Sequence, residues 1–311
     1  MNWDIEKHII FETMIGSHAY GTTDSKSDVD LRGVCIPPLS IMLGLLGKFE
    51  QKDGWEGKYE DRVIYNIHKF FEMLLSNNPT ILEMLFITPT VKSSRYWDRI
   101  IENRSIFISK KTKHTFTGYA HAQLHRIRRH RGYLLNPLKT LPTRGEYGLP
   151  TNPSISYEQM SALLTLPLEV IHNDELREEA FREARYRQMK KEWDDYQSWK
   201  EGRNKERAKL EEEFGYDVKH ASHLVRLMYE GEEVLKTGYI TLPRPEAGLL
   251  VDIKNGKYSY DELLALVSDF DAEFENLYES STLPYTPDYG KANSMYLDIL
   301  DEYYSDGLLL L

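Results

Sequence analysis

The feature that most constrains this chain is a pair of short blocks near its N-terminus. The first is Ile15-Gly16-Ser17-His18-Ala19-Tyr20-Gly21-Thr22 and the second Ser27-Asp28-Val29-Asp30-Leu31-Arg32-Gly33. The residues ahead of Gly16, from Ile9 to Ile15, are mostly β-branched or bulky and apolar, which is the composition of a largely buried strand that breaks at glycine. A glycine there lets the backbone come close to a ligand. Ser17 then offers a hydroxyl and an N–H at the start of a helical turn, where phosphate oxygens are bound favourably. Ser27 to Val34 reads as a second strand, and its period of two puts Asp28, Asp30 and Arg32 on one face and Val29 and Leu31 on the other. Carboxylates held side by side disfavour each other's ionisation unless a cation neutralises them, and hard oxygen donors suit Mg²⁺ or Mn²⁺. An isolated Asp-x-Asp is commonly a solvated edge or turn. The strand-glycine-serine block upstream turns the same pair into a candidate divalent-metal site.

A third acid is available. Glu60 to Ile67 has strand composition and leads into an amphipathic helix from His68 to Ser76. On that strand Asp61 shares a face with Val63 and Tyr65, whereas Glu60 projects from the other face with Arg62 and Ile64. Asp61 is the candidate partner of the pair, with Glu60 as the alternative and a plain turn residue as the bland reading.

Composition bounds the rest. A chain of 311 residues is long enough for a well-buried core and two lobes. No run approaches the roughly 18 apolar residues of a membrane span. The N-terminus carries Asp4, Glu6 and Glu12 and lacks the basic-then-apolar layout of a signal peptide, so a cytoplasmic protein without a membrane partner is expected. Cys35 is the single cysteine, which excludes a disulfide framework and a cysteine zinc site. The net charge of −10 argues against uniform coating of nucleic acid but leaves room for a local basic groove.

Such a groove has a candidate. Between Ser105 and Gly145 there is no Asp or Glu, while lysines and arginines recur throughout. Thr117 to Arg131 reads as a helix with Tyr119, Gln123, Arg126 and His130 along one stripe and Ala120, Leu124 and Ile127 beside it. A basic helix headed by an aromatic and an amide suits a nucleotide base, a triphosphate or a strand backbone; a solvated face complementing the acidic remainder is the alternative. The histidines His114, His121, His125 and His130 have no acid or cysteine near them in sequence, so zinc is not expected. Ser156 to His172 carries an apolar helical pattern, and residues 174–213 read as long, charged, largely exposed helices with interspersed aromatics, an arm that could pair copies of the chain. On the helix from Asp217 to Leu235, Lys219, His223 and Arg226 form a cationic stripe suited to phosphates or to salt bridges. A short strand follows Gly238, then Pro243-Arg244-Pro245 and a last helix from Tyr260 to Tyr278. The apolar tail Gly307 to Leu311 is expected to dock on the chain or on a second copy.

The Gly16-Ser17 step, the spacer ending at Ser27 and Asp28-x-Asp30 together resemble the signature of the DNA polymerase β-like nucleotidyltransferase superfamily. "GSHAYGT…SDVDLRG" resembles in particular its bacterial and phage branch of predicted nucleotidyltransferases. "IHKFFEMLLSNNPTILEMLF" and "YDVKHASHLVRLMYEGEEVLKTGYITLPRP" are similar to the same branch, so the likeness runs from Gly16 to about Asp288. It implies an α+β fold, with a small mixed β-sheet and flanking helices in a palm-like catalytic domain over residues 1–100. A mainly α-helical nucleotide- and acceptor-binding lobe would follow over 101–311, carrying the charged arm at about 174–213. Strands early and helices late fit that layout.

The implied enzyme is a metal-dependent nucleotidyltransferase that moves an NMP from an NTP to an acceptor hydroxyl and releases pyrophosphate. Asp28 and Asp30 would hold two Mg²⁺ or Mn²⁺ ions, with Asp61 as third ligand and base. Gly16, Ser17 and His18 would contact the nucleotide's phosphates. Arg32, Tyr119, Gln123, Arg126, Lys219, His223 and Arg226 would complete the nucleotide site. The basic helix makes an RNA 3′ end, tRNA included, the first expectation for the acceptor. A protein side chain, as in nucleotidyltransferase antitoxins of this superfamily, is the second, and a silent nucleotide-binding module the third.

Overall fold

The computed structural model describes residues 3–25, 27–45, 48–55, 61–166 and 174–308, the side chains of Glu206 and Leu308 excepted. Its first elements are β1 (Ile9–Met14), the one-turn helix α1 (Ser17–Tyr20), β2 (Leu31–Cys35), the short α2 (Leu39–Met42), β3 (Gln51–Lys52) and β4 (Arg62–Asn66). The strands form one mixed sheet in the order β1-β2-β4-β3, with β2 antiparallel to β1 and parallel to β4. The α+β class expected from the sequence is what the chain adopts.

β1 is buried along almost its whole length because both faces of the sheet are covered. On one face Ile64 and Cys35 pack with Ile5 and Ile9, and Trp3, Phe49 and Trp55 close the cluster. On the other lie α3 (Ile67–Leu75), α4 (Pro79–Glu83) and α5 (Arg95–Glu102), with Phe11 stacked on Trp97 at 3.5 Å and Phe70 beside it. Asn66 caps α3 by accepting the His68 N–H, and Asn78 caps α4 ahead of Pro79, a residue that fits the first helical position because its missing N–H is not needed there. Asn77 between them adopts a left-handed φ of 55° and its buried amide donates to the carbonyls of Leu74 and Phe107, which fixes the corner.

The remaining helices are α6 (Lys111–Leu135), α7 (Tyr157–Thr165), α8 (Asp174–Gly202), α9 (Lys205–Phe214), α10 (Val218–Thr237), α11 (Ala247–Lys254), α12 (Tyr260–Ser280) and α13 (Tyr289–Leu308). No helix among the described residues is long and apolar enough to cross a membrane. The chain forms two compact units, one of residues 1–126 with 218–311 and one of residues 127–217. These boundaries differ from a division at residue 100. α10 to α13 belong with the sheet because they pack on its own helices: Arg99 of α5 pairs with Asp298 of α13 at 2.9 Å, and Tyr296 of α13 meets His68 of α3.

In the second unit α7 packs on α8 through Ile155, Met160 and Ala180, and Glu183 of α8 is buried between Arg144 and Arg187. The arm's aromatics turn inward: Tyr196 and Trp199 each lie 5.3 Å from Tyr133, so these rings build a core and are not a free pairing surface.

Three sequence expectations are corrected. β2 begins at Leu31, not at Ser27, so Asp28 and Asp30 lie on the segment entering the strand. The polar stretch Gln51 to Lys58, with its two glycines, reads in sequence as a loop, yet Gln51–Lys52 adds an edge strand beside β4. The strand expected after Gly238 does not form, and residues 238–246 make a turn whose Arg244 N–H bonds the Tyr20 carbonyl at 3.1 Å. Glu60, residues 167–173 of the expected apolar helix and the tail residues Leu309 to Leu311 lie outside the described residues.

Candidate active site

The acids meet because β2 and β4 run parallel. Leu31 lies opposite Arg62 and Arg32 opposite Val63, so extending the register back by one residue sets Asp30 beside Asp61, about one strand spacing away and on the same face. The Leu31 N–H donates to the Asp61 carbonyl at 3.3 Å and confirms that continuation. The same period of two sends Arg62 to the opposite face, where its buried guanidinium is held by Glu6 and Glu12. Asp61 is left exposed at the strand's entrance.

Burial raises the Asp30 carboxyl above its ordinary range, and the charge of Asp61 pushes the same way; Arg32 and Lys219 oppose it, and Asp28 adds a smaller repulsion. Asp30 is half-buried and Asp28 exposed, so the pair expected to stand side by side is unequal: Asp30 and Asp61 form the close pair and Asp28 flanks it. The three do not bring their oxygens within 4.8 Å of one another as a set. Under-compensated carboxylates with only oxygen donors suit a hard divalent cation, so the residues present fit Mg²⁺ or Mn²⁺.

Gly16 closes this site from below. Its φ of +66° belongs to the left-handed region that glycine enters without cost, and a Cβ at that position would stand 2.4 Å from Asp30 Oδ2. The Ile15 N–H bonds the Asp30 carbonyl at 2.9 Å, so the glycine-serine turn and the acid are fastened backbone to backbone. Ser17 and His18 follow at the start of α1, where the first N–H groups of a helical turn have no carbonyl behind them.

The other candidates divide. Lys219 is exposed at the start of α10 and its charge reaches Asp30. Arg126 donates toward His220 at 3.1 Å and, with His220, acts on the half-buried His223, so these four residues share one region of α6 and α10. Tyr119 is exposed with its hydroxyl held by Asn78 at 2.9 Å, and the buried Gln123 Oε1 has no hydrogen-bond partner.

Three expected cations change role. Arg32 donates to the carbonyls of Leu31 and Asp61 at 2.8 and 2.5 Å, so it ties the two acid-bearing strands together. His223 is driven down to about 3 by burial and then by the Arg226 charge, and is therefore a neutral ring near pH 7. Arg226 is 5% exposed and its Nη1 donates to Glu83 and, at 2.7 Å, to Glu230, so its charge is held in a buried ion cluster. The basic stretch is likewise partly spent inside the fold: Lys113 pairs with Glu275, His121 with Asp271 and Arg144 with Glu183.

Sequence reasoning missed Glu83, whose signal was a lone acid within the apolar run Ile81 to Phe86; Glu230, facing Leu227 and Val234 on α10, is the salt-bridge alternative that the stripe on that helix left open. It also missed the acids near His130. Among the described residues, His130, Glu211 and Asp217 form the one group of three such side chains with ligand atoms within 4.8 Å of one another. Arg203 and Arg207 pair with its two carboxylates, so it is charge-compensated within its own unit.

Residues 2–136 match the RlaP family, described as the RNA repair pathway DNA polymerase beta family. In this part the chain is similar to polymerase β-like nucleotidyltransferases. The matched segment contains the glycine-serine turn, all three acids and α6 to its end. The chain is also 26% identical over 294 residues to a protein of Enterobacteria phage T4, covering 84% of this chain and 86% of the relative, which is described as an uncharacterized 38.9 kDa protein in the nrdC-mobD intergenic region. No solved structure matches it.

Proposed function

We propose that this nucleotidyltransferase adds an NMP from an NTP to the 3′ hydroxyl of an RNA, without a template, within an RNA-repair process. The observation that carries the reading is the Asp30–Asp61 pair beside the Gly16 turn, with the positive charge of Lys219 acting on Asp30. Asp28, Asp30 and Asp61 are the residues that would hold divalent ions. When bound, these ions neutralise charge on the transferring phosphoryl group and lower the pKa of the attacking hydroxyl.

Gly16 leaves room for the Asp30 carboxylate beside the turn, and Ser17 and His18 supply donors toward the nucleotide's phosphates. Lys219 offsets charge on the departing pyrophosphate. The acceptor hydroxyl attacks the α-phosphorus in line, the bond from that phosphorus to the bridging oxygen of the β-phosphate breaks, and pyrophosphate leaves. Asp61, the more exposed of the close pair, takes the hydroxyl proton. On this reading Tyr119 and Gln123 contact a base, and Arg126 and Arg128, both exposed, follow an RNA backbone. The RNA-repair wording of the matched family and the basic surface of α6 support an RNA acceptor over a protein one. On this reading residues 1–100 are the catalytic part and the helices after them bind nucleotide and acceptor.

Incubation with Mg²⁺, each α-labelled NTP and either total RNA or lysate protein tests the reading. Label in RNA is expected. Label in protein would transfer the mechanism to a side-chain acceptor, and label in neither would refute nucleotidyl transfer to either polymer.

A further inference from the structure

Tyr20 ends the one-turn helix that follows Gly16 and Ser17, and an unusual amount of buried charge is arranged around it. Its hydroxyl donates to Glu83 Oε2 at 2.6 Å, and the Arg226 guanidinium lies 4.0 Å over its ring. Arg226 also bonds the other oxygen of Glu83 and, at 2.7 Å, Glu230 Oε2. Glu83 and Glu230 are fully buried and come from different elements, α4 and α10. One arginine thus faces two carboxylates in a site without water-exposed compensation. Burial pushes the Glu230 carboxyl well above its ordinary range; the Arg226 charge opposes this and the Glu83 charge adds to it. Buried groups of this kind destabilise a fold when one partner is lost, so their geometry is narrowly set.

The backbone of the same turn is fixed from the other side. The Arg244 N–H bonds the Tyr20 carbonyl at 3.1 Å, and Arg244 is itself held by Glu233 and by Glu246 at 2.8 Å. Gly21 has a φ of +74°, and a Cβ there would stand 2.9 Å from Pro243. Three segments, around residue 83, residues 226–230 and residue 244, therefore converge on Tyr20, three residues beyond Ser17.

We propose that the Tyr20–Glu83–Arg226–Glu230 cluster is a positioning device for the nucleotide's triphosphate: it fixes the Gly16–Ser17 turn at the height above Asp30 at which the phosphates seat. This rests on the nucleotidyltransferase reading of the same site. A group that seats the triphosphate in ground and transition states alike governs KM, whereas one that acts only on the reacting phosphorus governs kcat. Tyr20→Phe keeps the ring under Arg226 and removes only the bond to Glu83. Gly21→Ala strains the turn from the Pro243 side without touching the buried charges.

The test titrates ATP, CTP, GTP and UTP, each with Mg²⁺, into the full-length protein and both variants by calorimetry, alongside steady-state transfer to RNA and thermal melting. In folded variants, each change is expected to weaken binding of the accepted nucleotide and raise its KM about tenfold, with kcat within about twofold of the parent. Unchanged affinity in folded Tyr20→Phe, or a fall in kcat at constant KM, would overturn the positioning role. Should Tyr20→Phe not fold, Gly21→Ala decides by the same criteria. Failure of the parent protein to bind any of the four would instead overturn the nucleotidyltransferase reading, so the two failures are distinct.

Discussion

An Asn at position 30 keeps the shape of Asp30 and its backbone bond from Ile15 while removing the charge that Asp61, Arg32 and Lys219 all meet. Asp30→Asn and Asp61→Asn are expected to lower nucleotidyl transfer by about 10³-fold or more, the scale of losing several kcal/mol of transition-state stabilisation, with melting temperatures close to the parent's. Asp28→Asn should cost less, because Asp28 is exposed and acts on Asp30 only weakly. Lys219→Met should reduce transfer about 10- to 100-fold, read as initial rates at saturating NTP. Arg32→Lys should lower kcat as well, because a lysine cannot reproduce the guanidinium's two bonds to the Leu31 and Asp61 carbonyls. At this scale the sequence was most legible where function is local. Gly16, Asp30 and Asp61 sit on strand ends, and period-two spacing assigns their face. Arg226 was misread because helical spacing tells which residues share a face but not what covers it, and Glu83 arrives from 143 residues away.

Among the elements, α6 shows the same limit in a different form. Its run of lysines, arginines and histidines looked like an open basic surface because the acids that answer it, Asp271 and Glu275, are remote in sequence. Of its arginines, Arg126, Arg128 and Arg129 stay exposed. Reversing Arg126 and Arg128 to Glu is expected to weaken RNA binding about equally for all sequences and to make the plot of log affinity against log salt shallower by about 1 to 2 units, measured by filter binding across a salt series. Unchanged affinity would remove α6 from the acceptor site. β2 illustrates an element boundary that alternation could not place. Asp28, Val29, Asp30 and Leu31 alternate polar and apolar as a strand does, yet pairing with β1 stops at Leu31 opposite Met14, after which the chain of β1 turns at Gly16 and leaves nothing to pair with.

For the molecule as a whole, the two units carry buried titratable groups of opposite sign. In residues 127–217, burial and then the Asp217 charge raise Glu211 to about 7. Taking the ordinary 4.5 for the unfolded chain, its contribution is fully present below pH 4.5 and is lost as pH rises through 7. The loss is on the order of 3 kcal/mol. His223 in the other unit is lowered to about 3 from 6.5, so its contribution is present above pH 6.5 and is lost as pH falls toward 3. Hydrogen exchange of the full chain should therefore show α9 opening more readily at pH 7.5 than at pH 4.5, after correction for intrinsic exchange, and Glu211→Gln should flatten that response; an unaltered response would contradict it. The early sheet and late helices were visible in composition, but the return of residues 218–311 to the sheet-bearing unit was not, because it depends on side-chain pairs between distant segments such as Arg99 with Asp298. The proposed transfer of the α-phosphoryl group at the Asp30–Asp61 pair is central to all of this. Parallel reactions with α-labelled and γ-labelled NTP, run with the parent protein and with Asp30→Asn, test it most directly. The α label should move to the acceptor and the γ label to pyrophosphate, both only with Asp30 intact; γ label on the acceptor, or undiminished transfer by Asp30→Asn, would contradict it.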